Sequence, residues 1–409
     1  MRVRIYPSRA KGSVSAPPSK SMAHRALVAA ALAKGESRIC GVSNCEDVCA
    51  TLDCLCALGV NCRLDANTVL VQGADFTQSK STILPCRESG STMRFLLPLC
   101  LLSSNEITLV GEPSLLRRPM TVYQTLCQER GLYFHQTEKG ITVRGPLSAG
   151  EYTLPGDVSS QFISGMLFAL TQVTGDSILH ILPPVESCSY IEMTLETLKT
   201  FGADVKWVND TTLFVGGSKP MTAQNITVEG DYSNAAFLSA FNVLGGDVEV
   251  NGLNPASLQG DRIYFQHFES LSKGFAKISL GDCPDLAPIL FALAAAGKGG
   301  HFANTRRLAI KESNRAEAMA TELRKFGAEV DVRENEVIIT PTALYAPKEL
   351  LNGHNDHRIV MSLTVLASLV GGIIEGAEAV TKSFPDFFER ITSLGIQTEE
   401  ITPEKGNIL

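Results

Sequence analysis

Residues 321–332, TELRKFGAEVDV, read as the end of a helix, a glycine and the start of a strand. Gly327 suits the position just past a helix, where the chain turns through positive φ and a Cβ would clash. The same grammar recurs in TLDCLCALGVNCRL (51–64), QTLCQERGLYFH (124–135), ETLKTFGADVKW (196–207), ESLSKGFAKISL (269–280) and ERITSLGIQTEE (389–400). The six pivots, Gly59, Gly131, Gly202, Gly274, Gly327 and Gly395, lie 72, 71, 72, 53 and 68 residues apart. A repeat architecture with a period near 70 follows.

Around the pivots the rest of a module can be read. A second strand follows a tight polar turn in four copies, at 68–72, 141–144, 212–215 and 337–340. Upstream of each pivot helix lies another helix, such as SMAHRALVAAALAKG or DHRIVMSLTVLASLVGG, rich in Ala, Leu, Ser and Gly on nearly all faces. A helix apolar all round belongs inside a domain. The unit is βαβαββ, the class is α/β (α+β), and six such modules account for the chain. Residues 229–231 fall between the third and fourth copies, which predicts one globe over 18–229 and another over 1–17 plus 230–409. Crossovers are expected near 15–18 and 229–231, and the strand-like residues 1–6 are expected to pair within the last module.

Composition narrows the function. With 409 residues, 44% hydrophobic and 19% charged, the chain can bury a sizeable core. A net charge of −7 spread along the sequence disfavours nucleic-acid or membrane-surface binding, which needs a basic face. The longest apolar runs, 95–102 and 286–296, are too short to span a bilayer, and residues 1–19 lack the apolar core of a secretion signal. A cytoplasmic protein is expected. The eleven cysteines include no CxxC pair, and Cys45, Cys49, Cys54 and Cys56 read as small thiols on an amphipathic helix rather than a metal site.

The starts of the buried helices are unusually polar: PPSKSMAHR, CRESGSTMR, DVSSQF, GDYSN, DCPD and NDHR. Ser, Asp and Asn are the ordinary N-caps, so any single start is unremarkable. The set differs because cations recur there, at Lys20, Arg25, Arg94, His357 and Arg358. Helix N-termini beside cations collect phosphates and carboxylates. Further polar groups open the second helices: Arg117-Arg118, Ser187 to Tyr190, Lys311-Glu312 with Arg315, and Lys382. Lys311 and Arg315, four apart, are expected to share a helical face. Asp285 and Glu312 are the acid/base candidates. Capping for the first and a surface ion pair for the second remain equally good readings at this level.

The quoted motifs PPSKSMAHRALVAAALAKG, ESGSTMR, GEPSLLRRPM, DVSSQF, CPD, IKESNR, NDHRIVM and TKSFPDFF resemble, in order and spacing, those of the 5-enolpyruvylshikimate-3-phosphate synthases, across essentially the whole chain. The resemblance implies two globular domains, each of three βαβαββ repeats in pseudo-threefold arrangement, closing on an active site in the cleft between them. It implies a monomer that uses no metal or organic cofactor. The reaction would carry the enolpyruvyl group of phosphoenolpyruvate to the 5-hydroxyl of shikimate 3-phosphate, releasing phosphate, on the route to chorismate and aromatic amino acids. By motif, Lys20, Ser21, Arg25, Ser159, Ser160, Gln161, Ser187, Tyr190, Asp285 and Lys311 would bind shikimate 3-phosphate. Lys20, Gly90, Arg118, Gln161, Arg315, Arg358 and Lys382 would hold phosphoenolpyruvate. By the same resemblance Asp285, Glu312, Lys20, Lys311 and His357 would form the catalytic set, with Asp285 the base and Glu312 the acid.

The chain departs from the family's common pattern at Pro18, Glu88, Arg307 and Asn314. Two other readings are weighed. Enolpyruvyl transfer to a UDP-amino sugar uses a loop cysteine in the related family, and residues 112–119 contain none. A non-catalytic phosphometabolite binder would have lost one of the acid, base or cationic residues, all of which are present.

Overall fold

The computed structural model describes residues 1–217 and 219–401. Its sheets are built by the repeat. In one, Thr82–Pro85 runs parallel to Ile107–Val110, which pairs antiparallel with Gly140–Arg144, itself antiparallel to Tyr133–Thr137. The same order joins Glu151–Pro155, Ser177–Leu182, Thr212–Gly216 and Asp204–Asn209, and again Ala276–Ser279, Gly300–Ala303, Glu336–Thr340 and Glu329–Arg333. Helices fill the crossovers between the parallel strands, as parallel pairs require.

Two of the four-stranded sheets borrow a strand from far along the chain. Asn225–Thr227 lies parallel to Glu36–Cys40 and completes the sheet of the first module. Arg2–Ile5 sits between Gly372–Glu375 and Thr398–Ile401, with Val3 opposite both Ile374 and Glu400. The pairing expected of residues 1–6 is therefore found.

The expectation of six complete modules fails at the fourth. Lys11–Ser15 and Asp247–Asn251 form a sheet of two parallel strands, and the strand after Gly274, Ala276–Ser279, opens the next sheet instead. The short spacing of 53 between Gly274 and Gly327 is this missing hairpin. Gly274 is correspondingly extended at φ 177°, whereas Gly59, Gly131, Gly202, Gly327 and Gly395 lie between 64° and 96°. The strand edge that a hairpin would cover is partly satisfied by one side chain. Val248 N–H donates to Asn242 Oδ1 at 2.7 Å, and Asn242 Nδ2 donates to the Val248 carbonyl at 2.8 Å. Beside it an open groove of about 390 Å³ is lined by Val243, Val248, Val250, Tyr264, Phe265 and Phe268.

The chain divides into two compact units. One comprises Pro18–Glu229 with Asn254–Gly260; the other comprises Met1–Pro17, Gly230–Leu253 and the chain from Asp261 onward. Residues 254–260, expected with the second globe, cluster with the first because their polar side chains converge on Glu229.

Each unit has its own core around three of the apolar helices. In the Pro18–Glu229 unit these are Lys20–Leu32, Gly90–Cys100 and Ser160–Leu170, with Leu27, Phe95 and Phe168 essentially without exposure. In the other unit they are Tyr232–Val243, Ala287–Ala296 and His357–Val370. Each buried Leu or Phe contributes about 1.5–3 kcal/mol by leaving water, which secures helices that must also carry polar first turns. Packing is close enough to exclude side chains: a Cβ on Gly165 would stand 2.3 Å from the Arg94 carbonyl. Among the described residues no helix is long and apolar enough to cross a membrane.

Candidate active site

In the Pro18–Glu229 unit three helices start with their N-caps engaged. Ser19, Ser89 and Ser159 accept from the N–H groups of Met22, Thr92 and Gln161, respectively. Lys20 and Ser21 occupy the first turn after Ser19, and Lys20 Nζ reaches Asp47 Oδ2 at 2.7 Å. The pair is about one-eighth exposed, 12% and 13%, so the cation is aimed and only thinly solvated.

Arg25 ties several expected ligands together. Its Nη1 donates to the Ser21 carbonyl at 2.8 Å, its Nη2 to the Tyr190 carbonyl at 2.9 Å, and its Nε to Thr194 Oγ1 at 2.9 Å. The guanidinium carbon lies 5.2 Å from the Phe95 ring centre and 5.7 Å from that of Tyr190, within cation–π range. Burial lowers its pKa to about 10, still protonated at neutral pH. Ser187 caps the Cys188–Thr200 helix with φ 56°, an uncommon conformation for serine.

A second knot surrounds Gly90. Arg94 Nη1 donates to Gln161 Oε1 at 2.7 Å, and Gln161 Nε2 donates to Ser91 Oγ at 2.9 Å. A Cβ added to Gly90 would meet Arg118 Nη1 at 2.9 Å, Arg94 Nη1 at 3.4 Å and Gln161 Oε1 at 3.8 Å. Gly90 thus leaves its helix terminus open to two guanidiniums, a cradle suited to an anion. Arg118 stands between the short Pro113–Leu116 helix and the Thr121–Arg130 helix, rather than opening the latter. The two knots are bridged by His24, Thr51, Thr92 and Ser89, joined at 2.8, 2.7 and 2.7 Å. Burial, with the charges of Lys20 and Arg25, holds His24 well below the usual histidine range, so it stays neutral.

The other unit gathers the acid/base candidates. Asp285 Oδ1 accepts from Lys311 Nζ at 3.2 Å and Arg315 Nη1 at 2.8 Å, and its Oδ2 from Arg358 Nη2 at 3.2 Å. Burial alone would raise its pKa, but Arg358, Lys311 and Arg315 together hold it well below the usual carboxylate range. Lys311 is lowered, burial outweighing the pull of Asp285. Arg315, only 1% exposed, donates through Nη2 to Glu312 Oε2 at 2.6 Å and through Nε to Asp356 Oδ2 at 2.8 Å. Burial opposes its charge, yet Asp356, Glu312 and Asp285 raise its pKa above the ordinary arginine value.

Local structure here corrects two expectations. Lys311 and Arg315 do not share a helical face: the helix begins at Arg315 with Asn314 as N-cap, and Lys311 is extended. They meet at Asp285 all the same, through the side chains. Lys382 ends the 3-10 run Ala377–Lys382, while the last helix starts at Phe387; its Nζ donates to the Asn355 carbonyl at 2.6 Å. His357, 1% exposed, has Nδ1 at 3.9 Å from Asp356 Oδ1, too far for a hydrogen bond.

Sequence reasoning missed Asp47, Asp356 and Asp261. Asp356 caps the His357–Val370 helix through the Arg358 N–H at 3.0 Å and orients Arg315; NDHR marked the cap but not that second task. Asp261, 1% exposed, bonds to Ser233 Oγ, and its Oδ1 has no partner among the described residues. Burial, followed by the charge of Asp285, raises its pKa to about 7. Among the described residues no three His, Cys, Asp or Glu side chains converge as a metal site would need.

Comparison with known proteins gives a consistent picture. The profile of the family described as EPSP synthase (3-phosphoshikimate 1-carboxyvinyltransferase) matches residues 6–391. A 3-phosphoshikimate 1-carboxyvinyltransferase of Clostridium kluyveri is 38% identical, covering 97% of this chain and 98% of its own. One from Clostridium perfringens is 36% identical over 98% and 100%. Among solved structures, EPSP synthase from Acinetobacter baumannii superposes with a TM-score of 0.77 at 24% identity, covering 98% of this chain and 100% of that one. The enolpyruvyl transferase NikO from Streptomyces tendae does so at 0.78 with 14% identity, over 98% of each chain, a likeness of fold. Matched nearly end to end by relatives that share its architecture, the chain belongs to the EPSP synthase (3-phosphoshikimate 1-carboxyvinyltransferase) family.

Proposed function

We propose that the two clusters, one on each unit, act on a single pair of bound substrates in the enolpyruvyl transfer that defines this family in the shikimate pathway. Lys20, Ser21, Arg25, Ser159, Ser160, Gln161, Ser187 and Tyr190 bind shikimate 3-phosphate, with Asp285 and Lys311 at its ring. Lys20, Gly90, Arg118, Gln161, Arg315, Arg358 and Lys382 hold phosphoenolpyruvate. The protein works as a cytoplasmic monomer, with no nucleic-acid or membrane partner and no cofactor or metal.

The observation that carries this reading is the ring of Lys311, Arg315 and Arg358 around the Asp285 carboxylate. Held that way, Asp285 is a weak base. Phosphoenolpyruvate brings its own carboxylate and phosphate, which compete for Arg315 and Arg358 through charge-assisted bonds. As those cations turn to the substrate, the proton affinity of Asp285 rises, so the base is strengthened only when its reaction partner is present.

Asp285 then takes the proton of the 5-hydroxyl as that oxygen bonds to C2 of phosphoenolpyruvate. Once Arg315 has turned from Glu312 to the substrate, Glu312 is free to take up a proton, which it gives to the methylene carbon, and the result is a tetrahedral adduct. Breaking the C2–O bond to phosphate, with return of a methyl proton to Glu312, restores the alkene, and the proton held by Asp285 leaves with the released phosphate. Lys20 and His357 flank the reacting groups, and holding both reactants in line contributes on the order of 7–11 kcal/mol.

Phosphate release from phosphoenolpyruvate, with shikimate 3-phosphate as acceptor, tests the assignment. Asp285→Ala and Glu312→Gln should lower kcat far more than they weaken substrate binding, whereas Lys20→Ala and Arg118→Ala should weaken binding. Unchanged kcat in Glu312→Gln removes it from the acid role, and turnover with a UDP-amino sugar alone would favour the related transferase.

A further inference from the structure

Residues 254–260 leave the polypeptide of one unit to cluster with the other, and the side chains of Asn254, Ser257 and Gln259 all reach one residue there. Asn254 Nδ2 donates to Glu229 Oε2 at 2.8 Å, while Ser257 Oγ and Gln259 Nε2 both donate to Glu229 Oε1, the latter at 2.8 Å. Ser257 Oγ also accepts the Gln259 N–H at 3.1 Å. Glu229 in turn uses its backbone carbonyl to accept the Ser19 N–H at 2.8 Å. Ser19 Oγ closes the circuit by donating to Gln259 Oε1 at 3.2 Å. Ser19 has no exposure and Gln259 only 5%, so the bond between them is made away from bulk water, where an unmatched polar atom is costly.

From this circuit we infer that Gln259, a residue outside the substrate-binding set, is a positioning residue for Lys20. Its carboxamide is the one group in the circuit that both donates to the carboxylate of Glu229 and accepts from Ser19. Ser19 is the N-cap of the Lys20–Leu32 helix, and the next residue is Lys20 itself. Fixing Ser19 at both its N–H and its hydroxyl sets the direction in which the first turn projects Lys20 and Ser21. A glutamate at 259 would face Glu229 as a like charge, and a leucine would leave both Glu229 and Ser19 short of a partner. The requirement is therefore for an amide, not merely for bulk. The inference rests on the reading of Lys20 as a substrate ligand.

Isothermal titration with shikimate 3-phosphate, on the full chain, tests it in a double-mutant cycle of Gln259→Leu and Lys20→Ala. Gln259→Leu is expected to weaken binding about five- to tenfold, the size of one or two hydrogen bonds misplaced. If it acts through Lys20, adding it to Lys20→Ala should change the affinity less than twofold further. An unchanged affinity in Gln259→Leu overturns the inference while leaving the Lys20 assignment standing, and so do effects that multiply in the double variant. Unchanged affinity in Lys20→Ala overturns both. Should Gln259→Leu fail to fold, Glu229→Gln keeps the shape but removes the charge that orients the amide. It should weaken binding two- to fourfold in the same Lys20-dependent way, and full affinity there overturns the inference.

Discussion

Arg358 grips Asp285 twice: Nη2 donates to Oδ2 at 3.2 Å and Nη1 to the backbone carbonyl at 3.2 Å. One planar fork thus fixes both the carboxylate and the peptide carrying it, which a point-charge ammonium cannot do.

Arg358→Lys should accordingly lower kcat/KM for phosphoenolpyruvate by about 10–100-fold, or roughly 1.4–2.8 kcal/mol of lost transition-state stabilisation. Weakening the cation beside Asp285 raises its pKa, so the acid limb of the kcat/KM profile should move to higher pH. A profile that falls in height without moving would separate Arg358 from the charge state of Asp285.

Asp261 predicts a pH dependence of stability. Its folded pKa, raised to about 7 from the ordinary 3.8, means the unfolded chain loses this proton first. Stability contributed at Asp261 is thus fully present below about pH 4, falls as the pH rises towards 7, and is flat beyond. Asp261→Asn abolishes that slope. Denaturant unfolding between pH 4 and 8 should show the wild type losing ground to the variant by an amount on the order of a few kcal/mol; parallel curves would refute the buried neutral acid.

Gly90→Ala should selectively harm the proposed phosphoenolpyruvate cradle. The new methyl stands 2.9 Å from Arg118 Nη1, the end of a flexible side chain, so Arg118 yields rather than the fold. KM for phosphoenolpyruvate should rise about tenfold, equivalent to about 1.4 kcal/mol, with KM for shikimate 3-phosphate and the melting temperature little altered. Equal changes in both KM values would count against the cradle.

Asn242→Leu should unmask the strand edge in the shortened fourth module. Two half-buried hydrogen bonds to Val248 are lost, at a cost of about 1–3 kcal/mol, and the freed backbone becomes available to another strand. Light scattering at increasing concentration should detect self-association in the variant; a monodisperse, equally stable variant would show that the edge needs no cover.

The repeat was legible in the sequence because five of its pivots obey one local rule, a glycine that must turn through positive φ. Gly274 imitates that rule in letters but sits in an extended chain, so the lost hairpin was visible only as an odd interval. The helix starts were legible as caps, and Asp285, Arg315 and Arg358, from three separate motifs, meet in the structure. What could not be read was how Asp261, Asp356 and Gln259 act, since each works through partners brought near by folding rather than by position in the chain. The face expected for Lys311 and Arg315 failed for a related reason: one extended residue ahead of an N-cap removes helical spacing, and side-chain reach restores the meeting.

The insertion of Arg2–Ile5 between Gly372–Glu375 and Thr398–Ile401 sets an order on biogenesis. Arg2 pairs with Glu375, 373 positions further along the chain. On the ribosome, this strand must wait, edge uncovered, until residues 372–401 have been translated. Pro18–Glu229 is continuous apart from one short strap, and can mature during that interval, since domains fold as units during synthesis. Nascent chains arrested before residue 372 should therefore leave the leading strand open to proteases that spare the neighbouring unit.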